Sequence, residues 1–318
     1  MKFSIRLNND LPVDAYPQLA RAAEEVGFDQ FWVSDDLFLR SAWVILSAVA
    51  QQTERIQIGT CIVNPYTIHP AEMAMAAATL DELSHGRFVL GISSGADDFL
   101  GWVGIEAERP VSTVKQTIAT LRRLFQGEVG SGPGWTDQAY LRFTARPIPI
   151  YVGAMSPRML RLIGDVADGG LPLLLPPEQF AEVLSHIGPA ENLDVAACIW
   201  CSVTRDDRAA AEQVLRDKIA YYGHALSPTI LRRLGLTKED FAPIQERMQA
   251  GDAAGAAELV TQDMLRIGVV GTAHELLPRL QHLVNLGARH LSFGPPLGPD
   301  LFQAIKVLGS EVLPRFRP

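Results

Sequence analysis

At 318 residues and 47% hydrophobic side chains, the chain can bury a large core, and its length suits an α/β barrel built as one unit. A formal net charge of −8 argues against nucleic acid as a partner, because phosphate-backbone binding needs a basic face. There is no charged-then-apolar leader and no apolar run of bilayer length, so no membrane partner is expected and the chain reads as cytoplasmic.

Strands and helices alternate from the start. Phe3–Leu7 reads as a strand, and Tyr16, Leu19, Ala20, Ala23 and Val26 form a helical apolar stripe closed by Gly27. Gln30–Ser34 is the next strand and Ala42–Gln51 the next helix. Ile56–Val63 carries the β-branched and small residues of a buried strand and stops in Asn64-Pro65-Tyr66-Thr67. Pro70 suits a first helical turn, Met73, Ala76, Ala77, Leu80 and Leu83 recur at helical spacing over Ala71–Leu83, and Gly86 is the stop. Phe88–Ile92 is a fourth strand. The Gly-, Pro- and Trp-rich stretches Ala96–Pro110 and Gly127–Pro147 read as loops over one end of the fold.

The alternation then resumes. Ile148–Val152 precedes the helix Pro157–Val166, Gly170–Leu175 precedes Glu178–His186, and Val195–Val203 is a seventh strand. From Asp206 to about Gly268 the pattern is helical, over Ala209–Tyr222, Pro228–Leu234, Lys238–Gln249 and Ala253–Ile267. That is too much for one crossover and reads as an insertion after strand seven. Arg289–Phe293 is the eighth strand, before a closing helix over Asp300–Leu313. Short connections imply right-handed parallel crossovers, so these units predict a (β/α)8 TIM barrel occupying 1–318 as a single domain.

Parallel barrels keep their chemistry at the carboxyl ends of the strands. Asp35 and Asp36 follow the strand Phe31–Val33, and adjacent carboxylates cannot point the same way. One is expected to face the barrel mouth while the other caps the coming helix, with two purely structural carboxylates as the alternative. In Ser93-Ser94-Gly95-Ala96-Asp97, small residues would let a flat ligand reach the backbone, although a plain turn explains them equally well. In Gly153-Ala154-Met155-Ser156-Pro157-Arg158, Ser156 suits an N-cap, and the free N–H groups of the first turn suit an anion, with Arg158 as a further contact. Asp168-Gly169 reads as a turn with or without a ligand. His69 has two readings, a capping group or a proton handler. The pair Asp81-Glu82 is read as structural, with Arg87 as its partner. Cys198 and Cys201 have CxxC spacing, but inside a strand their side chains face opposite ways, so buried thiols are expected instead of a redox or metal pair.

Taken in order, Trp32-Val33-Ser34-Asp35, Cys61–Thr67 with His69-Pro70, Ala78–Arg87, Leu90-Gly91, Gly153-Ala154, Ala167-Asp168-Gly169, Gly271-Thr272 and Phe293–Asp300 closely resemble the luciferase-like monooxygenase superfamily. Within it the resemblance is to the branch using the deazaflavin coenzyme F420, typified by methylenetetrahydromethanopterin reductase. The apolar content of the insertion helices is compatible with a homodimer, and the resemblance implies a TIM-type barrel with an insertion and a coenzyme lying across the strand ends. It also implies a non-prolyl cis peptide after strand three, here at Cys61-Ile62, backing the deazaflavin ring. By the same resemblance Asp35, Cys61, Ile62, Ser94, Gly95, Gly153, Ala154, Met155, Ser156 and Gly169 hold the coenzyme, the stretch 153–156 taking its phosphate. Asp36 and His69 are the expected proton handlers, and Asn64 orients the substrate. Two departures matter. Some members carry His where this chain has Asp36, and methanopterin reductases carry an acidic residue on strand one, where this chain reads Ile5-Arg6-Leu7. Hydride transfer to or from a different small organic substrate is therefore the leading expectation. An FMN-dependent monooxygenase and a non-catalytic flavin-binding relative are the alternatives.

Overall fold

A computed structural model describes residues 1–172 and 177–317. In chain order the strands are β1 (Lys2–Leu7), β2 (Gln30–Val33), β3 (Gln57–Thr60), β4 (Phe88–Ile92), β5 (Ile150–Ala154), β6 (Gly169–Pro172), β7 (Asp194–Ile199), β8 (Cys201–Val203), β9 (Val269–Gly271) and β10 (His290–Phe293). All but β8 and β9 close a barrel in the order β1-β10-β7-β6-β5-β4-β3-β2, each strand parallel to its neighbours. Around it lie α1 (Ala15–Glu25), α2 (Ala42–Ala50), α3 (Pro70–Leu83), α4 (Asp97–Trp102), α5 (Pro110–Phe125), α6 (Pro157–Val166) and α7 (Phe180–Ile187). Then come α8 (Arg208–Tyr222), α9 (Pro228–Arg233), α10 (Ala242–Gln249), α11 (Ala253–Glu258), α12 (Gln262–Leu265), α13 (Ala273–Asn285) and α14 (Leu301–Val307). The predicted barrel is therefore present.

Several boundaries differ for physical reasons. The apolar run Val195–Val203 is not one strand but two, broken at Trp200. Ile199 accepts a barrel hydrogen bond from Gly294 N–H, whereas the carbonyl of Trp200 accepts from Val269 N–H at 2.8 Å. β8 consequently leaves the barrel and pairs with β9. Helices α8 to α12 lie between these two strands and pack around their own apolar cluster, which includes Trp200, Leu215, Ile219, Leu231, Phe241 and Met264. The predicted helix Ala253–Ile267 divides because Thr261 restarts it, its hydroxyl accepting from Met264 N–H. α4 falls inside the expected loop 96–110. The end of the predicted strand Gly170–Leu175, beyond Pro172, lies outside the described residues.

The barrel strands alternate strictly. Phe3, Ile5 and Leu7 face the helices, while Ser4 and Arg6 face the axis. Inside, Trp32, Val89, Tyr151, Leu171, Ala196 and Cys198 form an apolar plug, with the rings of Trp32 and Tyr151 5.4 Å apart. Glycines make room for them. A Cβ on Gly59 would stand 2.3 Å from the Trp32 ring, and one on Gly169 would stand 2.5 Å from Tyr151. Cys198 belongs to this plug and Cys201 to the outer core, so the two thiols do face apart.

Beside the plug runs a polar column. Asp194 pairs with His290 Nδ1 at 2.9 Å, and His290 Nε2 meets the Ser4 hydroxyl at 2.8 Å. Ser4 donates to Ser292, which also accepts from Arg6 Nε. The second oxygen of Asp194 accepts from Lys2 at 2.7 Å and from the Tyr151 hydroxyl at 2.6 Å. Burial alone would push the Asp194 carboxyl up, but His290, Lys2 and Tyr151 together hold it well below the usual carboxylate range. On the outer surface the expected Asp81–Arg87 pairing is absent. Asp81 pairs with Arg146 at 3.1 Å, and Arg87 instead donates to Thr53 and to the carbonyls of Ala50, Ile56 and Ser84.

Because the folded-state pKa of Asp194 is depressed, its stabilisation is present above the ordinary carboxylate range and fades as pH falls below it. Asp194→Asn should cost about 3 kcal/mol near neutrality by leaving buried partners unmatched. It should also flatten the loss of stability as pH falls below about 4. Thermal melts across that window check both effects, and equal slopes for the two proteins would contradict the assignment.

Candidate active site

At the carboxyl ends of β2 to β5 a cavity of about 570 Å³ opens between the strand termini, α4, the start of α6 and residues of the insertion. Asp35, Asp36, Cys61, Ile62, Asn64, Ser94, Gly95, Gly153, Ala154, Met155 and Ser156 all line it.

The adjacent carboxylates divide as their geometry requires. Asp35 Oδ1 accepts from Ala42 N–H at 2.9 Å and caps α2. Asp36 turns the other way, toward the mouth, taking a long bond from the Ser34 hydroxyl at 3.4 Å. Burial pushes both carboxyls up. For Asp36 the charge of Lys218 and the Ser34 bond oppose that rise, and for Asp35 the Ala42 bond does so.

After β3 the Cys61-Ile62 peptide is cis, at the predicted bond. The two residues pack on the barrel plug from the mouth side, and burial pushes the Cys61 thiol up to about 12. Val63 then returns to β4, donating to Gly91 and accepting from Ser93. Asn64 Oδ1 accepts from both Tyr66 and Thr67 N–H at 3.0 Å, which folds the loop into a turn. Opposite it, Gly95 has a φ of +80°, and a Cβ there would stand 3.2 Å from the Asn64 side chain. A bare backbone on that side is what keeps the loop over Asn64 close. Ser93 ties the end of β4 to β5 by donating to the Gly153 carbonyl at 2.7 Å. Ser156 caps α6, accepting from Met159 N–H, with Pro157 in the first turn.

A match to the family model described as luciferase-like monooxygenase covers residues 1–290. The chain belongs to that family. It is 30% identical to 5,10-methylenetetrahydromethanopterin reductase of Archaeoglobus fulgidus, over the whole of both chains. It is also 30% identical to an F420-dependent glucose-6-phosphate dehydrogenase of Microbacterium testaceum, over 93% of this chain and 91% of that one. Among solved structures, the coenzyme F420 dependent tetrahydromethanopterin reductase from Methanopyrus kandleri superposes with a TM-score of 0.92 at 27% identity, covering 99% of each chain.

Not every candidate of this luciferase-like chain reaches the cavity. His69 is the N-cap of α3, its Nδ1 accepting from Ala71 N–H at 3.2 Å, and its exposed ring stacks on Trp135 with centroids 5.5 Å apart. Of its two readings the capping contact is the one present, and His69 is not among the residues that line the cavity. Gly169 sits at the amino end of β6, opposite the mouth, where it makes room for Tyr151. It is not among the residues that line the cavity. Arg158 points into a separate groove with Lys115 and Arg161.

Conversely, sequence reasoning missed Tyr222, His224 and Lys238, which the insertion contributes to the lining, and Lys218 just beyond them. One signal was present. Lys218 falls within the α8 stripe Ala211, Leu215, Ile219 and Tyr222, where an ammonium among apolar positions marks an inward-facing charge. Among the described residues no cluster of three or more His, Cys, Asp or Glu is arranged to hold a metal.

His69→Ala should lower stability by about 1 kcal/mol, the usual cost of a lost N-cap, and leave coenzyme binding unchanged. Thermal melts together with a coenzyme titration of the variant check this, and a weakened titration would return His69 to the site.

Proposed function

We propose that the protein is a coenzyme F420-dependent oxidoreductase that passes a hydride between the deazaflavin and a small organic substrate. The observation that carries the reading is the shape of the cavity. A floor at Cys61-Ile62 lies at one side, and the N-terminus of α6, with its cap and free first-turn N–H groups, lies at the other. A flat ring with an anionic side chain fits that arrangement. His224 lines the same space, and its buried Nδ1 has no partner among the described residues.

In this assignment Cys61 and Ile62 back the ring, Ser94 and Gly95 admit it close to the backbone, and Gly153 to Ser156 hold the phosphate. Asp35 fixes the start of α2 beside it. The bound deazaflavin supplies two-electron hydride chemistry. The chain supplies position, exclusion of water and a proton. Asp36 is placed to exchange that proton with the substrate, and the upward push on its carboxyl keeps the neutral acid available at higher pH than usual. Asn64 holds the loop that walls the substrate.

We also infer a homodimer. α2 and α3 pack side by side, and Val44 and Met75 on them are 59% and 55% exposed, a face suited to a second copy. No helix among the described residues is long and apolar enough to cross a membrane, and the acidic charge gives nucleic acid no purchase, which fits a cytoplasmic role.

Titration with coenzyme F420, followed by its fluorescence, should saturate, and Ser156→Ala should weaken binding. Tight FMN binding with oxygen consumption in place of deazaflavin bleaching would overturn the reading. Binding of either coenzyme without turnover of any substrate would overturn catalysis.

Asp36→Asn should lower kcat by about 10²–10⁴-fold with the affinity for coenzyme unchanged. In the direction of substrate reduction, the wild-type rate should fall as pH rises through the raised Asp36 pKa, and in the oxidative direction it should fall as pH drops through it. A pH profile unaltered by the substitution would remove Asp36 from the mechanism.

A further inference from the structure

Beside the main cavity lies a recess of about 100 Å³. It shares Asp36, Cys61, Met155 and Tyr222 with the main cavity, so it is an alcove of the same site. Its distinguishing feature is charge. Arg6, 4% exposed, reaches it from β1, and Lys218 reaches it from α8. The guanidinium donates only to the Ser292 hydroxyl and to the carbonyls of Ile199 and Ser292, which leaves Nη1 without a partner among the described residues. Lys218 makes no hydrogen bond or ion pair among the described residues.

Its ammonium instead lies over aromatic faces, 5.1 Å from the Tyr222 ring centre and 5.7 Å from that of Trp200. The nearest carboxylate influence is Asp36, which stands beyond ion-pair distance. Burial lowers the Lys218 ammonium to about 8, and Arg6 adds to that fall while Asp36 and, less strongly, Asp10 oppose it. Buried charges are normally matched. Here the carboxylates that act on Lys218, Asp36 and Asp10, form no ion pair with it or with Arg6 among the described residues, and Asp36 is itself pushed toward its neutral form. The alcove therefore carries an unmatched positive charge beside apolar walls.

We propose that the alcove binds an anionic group of the substrate, a carboxylate or a phosphate, between Lys218 and Arg6, leaving the carbon that exchanges hydride over Cys61-Ile62. This rests on the oxidoreductase reading above and narrows its substrate to a small organic anion. Lys218 is then a specificity-determining residue, supplied by the insertion and not by the barrel.

The test uses the wild-type protein loaded with coenzyme F420 and titrated with acetate, inorganic phosphate or neutral acetamide. Coenzyme fluorescence and the thermal midpoint are the readouts. Acetate or phosphate should bind saturably and acetamide should not, and the stronger of the two anions names the group. Lys218→Gln should weaken anion binding at least tenfold, Lys218→Arg should retain it, and the affinity for F420 should be the same in all three proteins. Undiminished anion binding in Lys218→Gln, or acetamide binding as well as acetate, would overturn the proposal. Loss of F420 binding in Lys218→Gln would overturn it too, by assigning the charge to the coenzyme. If the wild type binds no F420, the oxidoreductase reading fails by itself. The same anion titration on the coenzyme-free protein, followed by the thermal midpoint, then decides the alcove separately.

Discussion

The indole of Trp32 fills the barrel axis only because residue 59, its neighbour on β3, has no side chain. Close packing allows no compromise at that point, since a methyl group there would overlap the edge of the ring. The buried N–H of the indole is answered by Gln30 at 3.2 Å, and Gln30 in turn donates to Gln57 at 3.0 Å, so the ring is fixed in height as well as in position. Cys61 and Ile62 rest on this plug. The level of the cavity floor, and with it the depth at which a ring can lie, is set by the Trp32–Gly59 pair.

The barrel interior is divided lengthwise between the apolar plug and the polar column from Asp194 to Arg6. Among the described residues the column's polar groups are paired except at its upper end, where a guanidinium nitrogen is left over at the mouth. A partly satisfied polar network inside a low-dielectric core is costly unless something completes it. The floor of the site is thus rigid on one side and electrostatically incomplete on the other. Asp36 stands at the boundary between them, lining both spaces.

Local rules were read well from the sequence, and long-range ones were not. β4 and α6 have the bounds their residues imply, because alternation, a first-turn proline and a serine cap are local signals. The split between Asp35 and Asp36 was foreseeable from strand geometry, although which of them caps depends on where Ala42 lies. His69 shows the opposite case. A histidine before a first-turn proline satisfies a helix end, and proximity in sequence to the floor did not bring it into the cavity. The break at Trp200 left no mark in composition, because an apolar residue serves equally in a barrel strand and in one that departs to meet β9. The unmatched charge at Lys218 needed the fold, since Arg6 and Lys218 are distant in sequence and meet only when α8 covers the mouth.

That departure at Trp200 separates two duties of the chain. The helices carrying Lys218, Tyr222 and His224 hang from the β8–β9 pair, which is held to the rest by backbone bonds between Cys201, Val203 and Leu297. Their apolar residues pack mainly on one another, in a cluster distinct from the barrel core. The insertion's wall of the cavity can therefore change its residues without disturbing the plug beneath the cavity floor. A lineage built on this plan is free to exchange one clientele for another while its hydride chemistry stays where it was.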